Sequence, residues 1–158
     1  MRTKLCLLAL WSAILSAQSL PRCEGETLSG KRVALPDAAA GQPALIIIGF
    51  THASQNQTKA WGQRVHDQFP VWSIAVLEDV PRLVRGMATH GIKGSVPKEQ
   101  YDHFLLVYNG EKDLKQAAGF DQPDDAYLLV MDPAGGIKWR YHGPVADAAL
   151  DQIRAALK

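Results

Sequence analysis

The residue types best able to carry redox or metal chemistry are few in this chain and poorly spaced for either. There are two cysteines, Cys6 and Cys23, and five histidines, His52, His66, His90, His103 and His142. No histidine pair has the helical i, i+4 spacing with a carboxylate that builds a zinc site, and none stands in a Cys/His cluster. No metal centre is therefore expected. The candidates that remain are His52, His103 and His142, each of which also reads as an ordinary solvated or hydrogen-bonded side chain. His52 follows an apolar run, where α/β proteins often bind ligands. Asp121, Asp124 and Asp125 surround Pro123, a pattern open to acid–base work or Ca²⁺ but without a calcium-loop spacing. It reads as a solvated turn. Trp139 and Tyr141 share one face of a strand by period two. They form a partner-binding patch if that strand lies at a sheet edge, and core otherwise. Arg82, Arg85, Lys93 and Lys98 concentrate positive charge ahead of Phe104, as a solvated helix face or an anion site. Asn56-Gln57-Thr58 fits an N-glycosylation acceptor, which matters only in a eukaryotic secretory host.

Other segments limit what these residues can do. Arg2 and Lys4 precede the apolar run Leu5 to Leu15, and Ala17-Gln18-Ser19 offers small residues for a signal-peptidase cut. The run is shorter than the roughly 20 residues that span a bilayer. Residues 1–19 are expected to be a cleaved export signal, residues 20–25 an N-terminal arm, and residues 26–158 one domain in the periplasm or outside the cell. Cleavage removes Cys6, so Cys23 has no partner for an intrachain disulfide. The full chain has a net charge of +1, and loss of the leader leaves it near neutral. That balance argues against nucleic-acid binding, which needs a basic patch. No transmembrane segment is expected after cleavage.

The mature segment alternates apolar runs with amphipathic stretches, the pattern of an α/β unit. Residues 27–35 predict a hairpin turning at Gly30, and Ala44 to Phe50 a strand buried on both faces. Ser54 is expected to cap a helix carrying Trp61, Val65 and Phe69. A second buried strand spans Val71 to Leu77. A helix over Asp79 to Thr89 follows, with Pro81 in its first turn, and then a loop over Gly91 to Pro97. Phe104 to Tyr108 predicts a strand, Glu111 to Ala118 a helix ended by Gly119. Tyr127 to Met131 and Ile137 to Tyr141 predict a hairpin, and Val145 to Leu157 a closing helix.

This order resembles the thioredoxin-like fold in its peroxiredoxin and thiol-disulfide-oxidoreductase form, across roughly residues 26–157. The resemblance rests on Ala44 to Phe50, on His103 to Val107 followed by Gln116 to Phe120, on Leu128 to Asp132 with Gly136-Ile137, and on Gly143 before a helix. It implies a central mixed β-sheet flanked by helices, with an N-terminal β-hairpin. Aligned on Phe50, the positions of a Cys-x-x-Cys pair fall on Gln55 and Thr58. The loop position usually held by a cis-proline falls near Ala126, and Pro123 lies three residues too early. A thiolate at a helix N-terminus is what this chemistry needs, and neither residue supplies one. Gly49-Phe50-Thr51-His52 also resembles the copper-carrying thioredoxin-like proteins that assist cytochrome oxidase assembly. Their cysteines would fall on Ala53 and Gln57, and His142 is a loose match for their distant histidine. Cu(I) favours soft sulfur ligands, which are missing here.

A further resemblance is to the thioredoxin-like family of mitochondrial ATP-synthase assembly factors. It is carried by Thr27 to Lys31, Trp61, Arg85-Gly86-Met87, Val96-Pro97, His103, Asp125 to Asp132, Gly136 to Trp139, and Gly143. The resemblance implies a non-catalytic binding or assembly factor with a protein partner, such as a subunit of a membrane respiratory or ATP-synthase complex. No cofactor is implied. Two other readings stay open: a thiol-disulfide or peroxide oxidoreductase working through Cys23, and a metal or copper carrier using histidines.

Overall fold

The computed structural model describes residues 18–158, and most of the expected leader lies outside them. Seven strands form one mixed sheet in the order β2-β1-β5-β4-β3-β6-β7. They are β1 (Cys23–Thr27), β2 (Arg32–Leu35), β3 (Ala44–Gly49), β4 (Val71–Val76), β5 (Phe104–Val107), β6 (Tyr127–Met131) and β7 (Ile137–His142). Strands β3, β4 and β5 are parallel, and the others join antiparallel. The helices are α1 (Gln55–Val65), α2 (Arg85–Ser95), α3 (Glu111–Ala118) and α4 (Asp147–Ala156). This is the thioredoxin-like architecture expected from the element order, with the N-terminal hairpin at one sheet edge.

The two faces of the sheet pack differently. Ile46, Ile48, Phe50, Ile74, Leu105, Tyr127 and Leu129 meet Leu114 and Ala118 of α3. Leu45, Ile47, Leu128 and Val130 meet Trp61 and Val65 of α1 and Leu150 and Ile153 of α4. The apolar runs at β3 and β6 are buried on both faces, because helices cover the sheet on both sides. A smaller cluster of Leu28, Leu77, Ile92 and Leu106 lies under α2. Turn chemistry fixes the ends. Gly119 ends α3 at φ 69°, and Asp132 Oδ1 accepts the Ala134 and Gly136 N–H groups in the β6–β7 turn.

Four boundaries differ from expectation. Residues 20–25 are no loose arm: Leu20 and Cys23 are buried in the α3-side core, and Cys23–Gly25 already belong to β1. Gln18 and Ser19, assigned to the leader, also engage the β6–β7 turn. The Gln18 carbonyl accepts the Ile137 N–H, and Ser19 bridges Gly136. Gly91–Ser95 is helix, not loop, because Ile92 anchors that turn on Leu77 and Leu106. The helix stops only where Val96 turns extended before Pro97. At its other end α2 starts late: Pro81 is extended and a 3₁₀ turn at Arg82–Val84 comes first.

A Cβ at Gly25 would overlap the Leu106 carbonyl oxygen on β5, whereas one at Gly91 meets nothing within 4 Å. Gly25→Ala is expected to cost about 1–3 kcal/mol in urea unfolding. Gly91→Ala is expected to add about 0.5–1 kcal/mol by relieving a mid-helix glycine. Equal midpoints for the two variants would contradict this packing.

Candidate functional site

The site lies where β3 and β4 end and α1 begins. Gly49 and Ala75 are register partners there, and Ser73 pairs with Ile47. On the α1/α2 side the floor is therefore small side chains, and Ser73 and Ala75 stay half-exposed in a central strand. A cavity of about 680 Å³ opens above them between α1 and α2. Val80, Ile92, Val96 and Phe104 line its apolar wall, and His52, Gln55 and Asn56 its mouth. Gly49 is tightly placed, since a Cβ would come within 3.2 Å of Thr58 Cγ2 and 3.3 Å of Ser54 Oγ.

The loop into α1 is held by its own hydroxyls. Ser54 occupies the cap position with already helical backbone angles and makes no side-chain cap bond. It donates instead to the Thr51 carbonyl (2.9 Å). Thr51 takes the capping part: its hydroxyl accepts the Ser54 N–H (3.2 Å) and donates to the Pro123 carbonyl (2.6 Å).

Gln57, on the first turn of α1, reaches across to the entrance of β6. Its carbonyl oxygen accepts the Ala126 N–H (2.9 Å) and its NH₂ donates to Asp125 Oδ1 (3.2 Å). Asp125 Oδ2 meets His142 Nδ1 at 2.8 Å, and His142 Nε2 lies 3.7 Å from Asp121. The imidazole stacks on Tyr127 at 5.3 Å. The Tyr127 hydroxyl in turn accepts the Asp121 and Gln122 N–H groups. The hydrogen bond from His142 holds the Asp125 carboxyl below its ordinary value, assisted by Gln57 and opposed by burial. Residues 121–125, which read as a solvated turn, are thus tied into both α1 and β7 by Asp125 and Tyr127.

The sequence-predicted positions separate as follows. Gln55 is the exposed first residue of α1, and the Thr58 hydroxyl, one turn on, donates to the Gln55 carbonyl (3.0 Å). Ala126 stands at the entrance of β6 with its N–H engaged by Gln57, a bond a proline could not make. The cis peptide bond among the described residues precedes Pro36 instead. Cys23 cannot serve this loop: β5 and β4 stand between its strand and β3, and its thiol is buried against α3-side residues. Burial pushes that thiol up to about 11, so the nucleophilic thiolate is withheld. The histidine set does not assemble. His52 and His142 share one end of the sheet, whereas His103 leads into β5 at the other and packs edge-on against Trp72 at 4.9 Å. No group of three metal-ligating side chains forms among the described residues.

Trp139 and Tyr141 do share a face of the edge strand β7, stacked at 5.9 Å and 3°. They are not a free patch. The pair packs into the α1/α4 core, with Trp139 donating to Gln152 and Tyr141 to the Pro144 carbonyl. The face that is free, around Leu83 and Met87, was not singled out by pattern. The cavity was legible only in the small residues Ser73 and Ala75. Nothing local marked Gln57 as a bridge.

The family model for the ATP10 protein matches residues 10–158. The chain belongs to the ATP10 protein family. A comparison with curated sequences found no match. Among solved structures, the chain is similar to the exposed lipoprotein thioredoxin Etrx1 of Streptococcus pneumoniae (16% identity, TM-score 0.57, covering 85% of this chain and 98% of that one). It is also similar to the C-terminal domain of a thiol-disulfide oxidoreductase of Bacteroides thetaiotaomicron (13%, 0.60, 89% and 94%). A third is BsSco, of the Sco family of cytochrome c oxidase assembly proteins (12%, 0.56, 90% and 95%). At these identities the likeness establishes the thioredoxin-like fold. This ATP10-family chain keeps that fold without a Cys-x-x-Cys pair.

Gln57→Leu leaves the buried Ala126 N–H without an acceptor and is expected to cost about 1–3 kcal/mol in chemical unfolding. An unchanged midpoint would refute the bridge. A depressed carboxyl stabilises the fold above the ordinary Asp value of about 3.9 and ceases to do so as pH falls through its lower folded value. The stability gap between wild type and His142→Asn is thus expected to be open above that value and to close below it. A gap independent of acid pH would show that Asp125 is not the group involved. In the native protein, a thiol reagent is expected to label Cys23 only on unfolding, as read by mass spectrometry. Rapid native labelling would contradict its burial.

Proposed function

We propose that this chain is a non-catalytic assembly factor, exported by a cleaved N-terminal signal to the periplasm or outside the cell. In this reading it binds a polypeptide subunit of a membrane complex, ATP synthase before other respiratory complexes. The observation that carries it is the fate of the redox positions. Gln55 and Thr58 hold no thiol and Gln57 is committed to bracing β6, while the cavity beside them stays open against an apolar wall. A scaffold that retains its groove and gives up its nucleophile fits binding better than turnover. Membership of the ATP10 family supports ATP synthase as the complex served. The cavity between α1 and α2 is the proposed seat of the partner segment.

Deletion of the gene is expected to lower the amount of intact ATP synthase in native gels of the membranes. The wild-type chain and a Gln55→Ala/Thr58→Ala variant should both restore it. Ser73→Leu/Ala75→Leu, which fills the cavity floor, should fold and fail. Unchanged ATP synthase in the deletion strain would overturn the proposal, and full rescue by the filled variant would move the partner site elsewhere.

A further inference from the structure

We propose that the outer face of Arg82–Gly94 docks on an anionic lipid bilayer surface. This inference does not depend on which complex the protein serves. The inner face of α2 is accounted for. It buries Ile92, and Arg85 turns inward, donating to the Val80 carbonyl (2.9 Å) with its guanidinium 4.6 Å from the centre of the Tyr108 ring. The outer face has no counterpart. Leu83 is 98% exposed, Met87 one turn on is 75% exposed, and Val84 is 42% exposed. Further along α2, Gly91 and Gly94 have open space where a side chain would be, so nothing shields the helix from a flat surface.

Charge selects the occupant. Between Val80 and Lys98 there are four Lys/Arg residues and no Asp or Glu, in a chain of net charge +1. Asp79 and Glu99 bound the stretch. Arg82, Lys93 and Lys98 form no ion pair among the described residues. Centres of protein–protein interfaces are enriched in aromatics, Met and Arg and depleted in Lys. The stretch carries the exposed Leu83, Val84 and Met87, with Lys93 on α2 and Lys98 just beyond it, and no Phe, Tyr or Trp. Aliphatic side chains beside unpaired cations are what a surface-lying helix presents to acyl chains and anionic headgroups. No helix among the described residues is long and apolar enough to cross a membrane, so the contact is peripheral and falls with salt.

Hydrogen–deuterium exchange of the full chain, with and without vesicles, reads this face separately from any effect of the N-terminal leader. Phosphatidylglycerol/phosphatidylcholine vesicles are expected to slow exchange at residues 82–94 at least threefold. Pure phosphatidylcholine vesicles should not. Leu83→Ser/Met87→Ser, at exposed positions that leave the melting temperature in place, should abolish the protection, and Arg82→Ser/Lys93→Ser/Lys98→Ser should reduce it to the neutral-vesicle level. No protection on anionic vesicles would overturn the proposal and leave the face to a protein partner. Equal protection by neutral vesicles, or protection that survives the Leu83/Met87 substitutions, would overturn it as well.

Discussion

The side-chain amide of Gln57 joins the first turn of α1 to the entrance of β6, beside the cavity, and commits that turn to holding the fold. The Ala126 N–H is buried and needs an acceptor, and Gln57 supplies it while its NH₂ holds Asp125. Asp125 then fixes His142, His142 stacks on Tyr127, and Tyr127 gathers the amides of residues 121 and 122. In a redox protein of this fold, the start of α1 faces substrate with a thiolate. Here the same turn faces its own neighbouring loop with an amide. The helix N-terminus and its strand partners stay where the fold puts them, and their chemistry becomes structural.

What remains available to a partner is space and surface. The cavity exists because Gly49, Ser73 and Ala75 are small where the sheet floors the gap between α1 and α2. A helix that buried more than Ile92 would close it. α2 is instead rich in glycine and lightly anchored, with Leu83 and Met87 turned to solvent. Elements held by few apolar contacts open at low free-energy cost. In the proposed function the partner is therefore held on the α1–α2 side, with the α3 side as the packed core.

The order of elements along the chain and the helices at α1, α3 and α4 were legible because their signals are local. Continuous apolar runs mark β3 and β6, an acidic start and Gly119 bound α3, and Asp132 to Gly136 turns β6 into β7. That Gln55 and Thr58 carry no thiol is a matter of residue type. The limits of α2 were not. Glycines at 91 and 94 and the proline at 97 read as loop, and only Ile92 packing on Leu77 and Leu106 keeps that turn helical. Strand β1 was read too late for a similar reason: its burial comes from β5, far along the chain. Trp139 and Tyr141 were correctly placed on one face, but whether α4 covers that face is a tertiary fact. The contacts of Gln57 with residues 125 and 126 are long-range side-chain contacts that no local pattern encodes.

In the proposed function this thioredoxin-like chain works without thiol chemistry. The most direct test is a cysteine-free chain, Cys6→Ala/Cys23→Ala, expressed in place of the wild type, with the level of intact ATP synthase in the membranes as the readout. The account predicts wild-type levels. A loss of ATP synthase while the cysteine-free protein accumulates in folded form would contradict it.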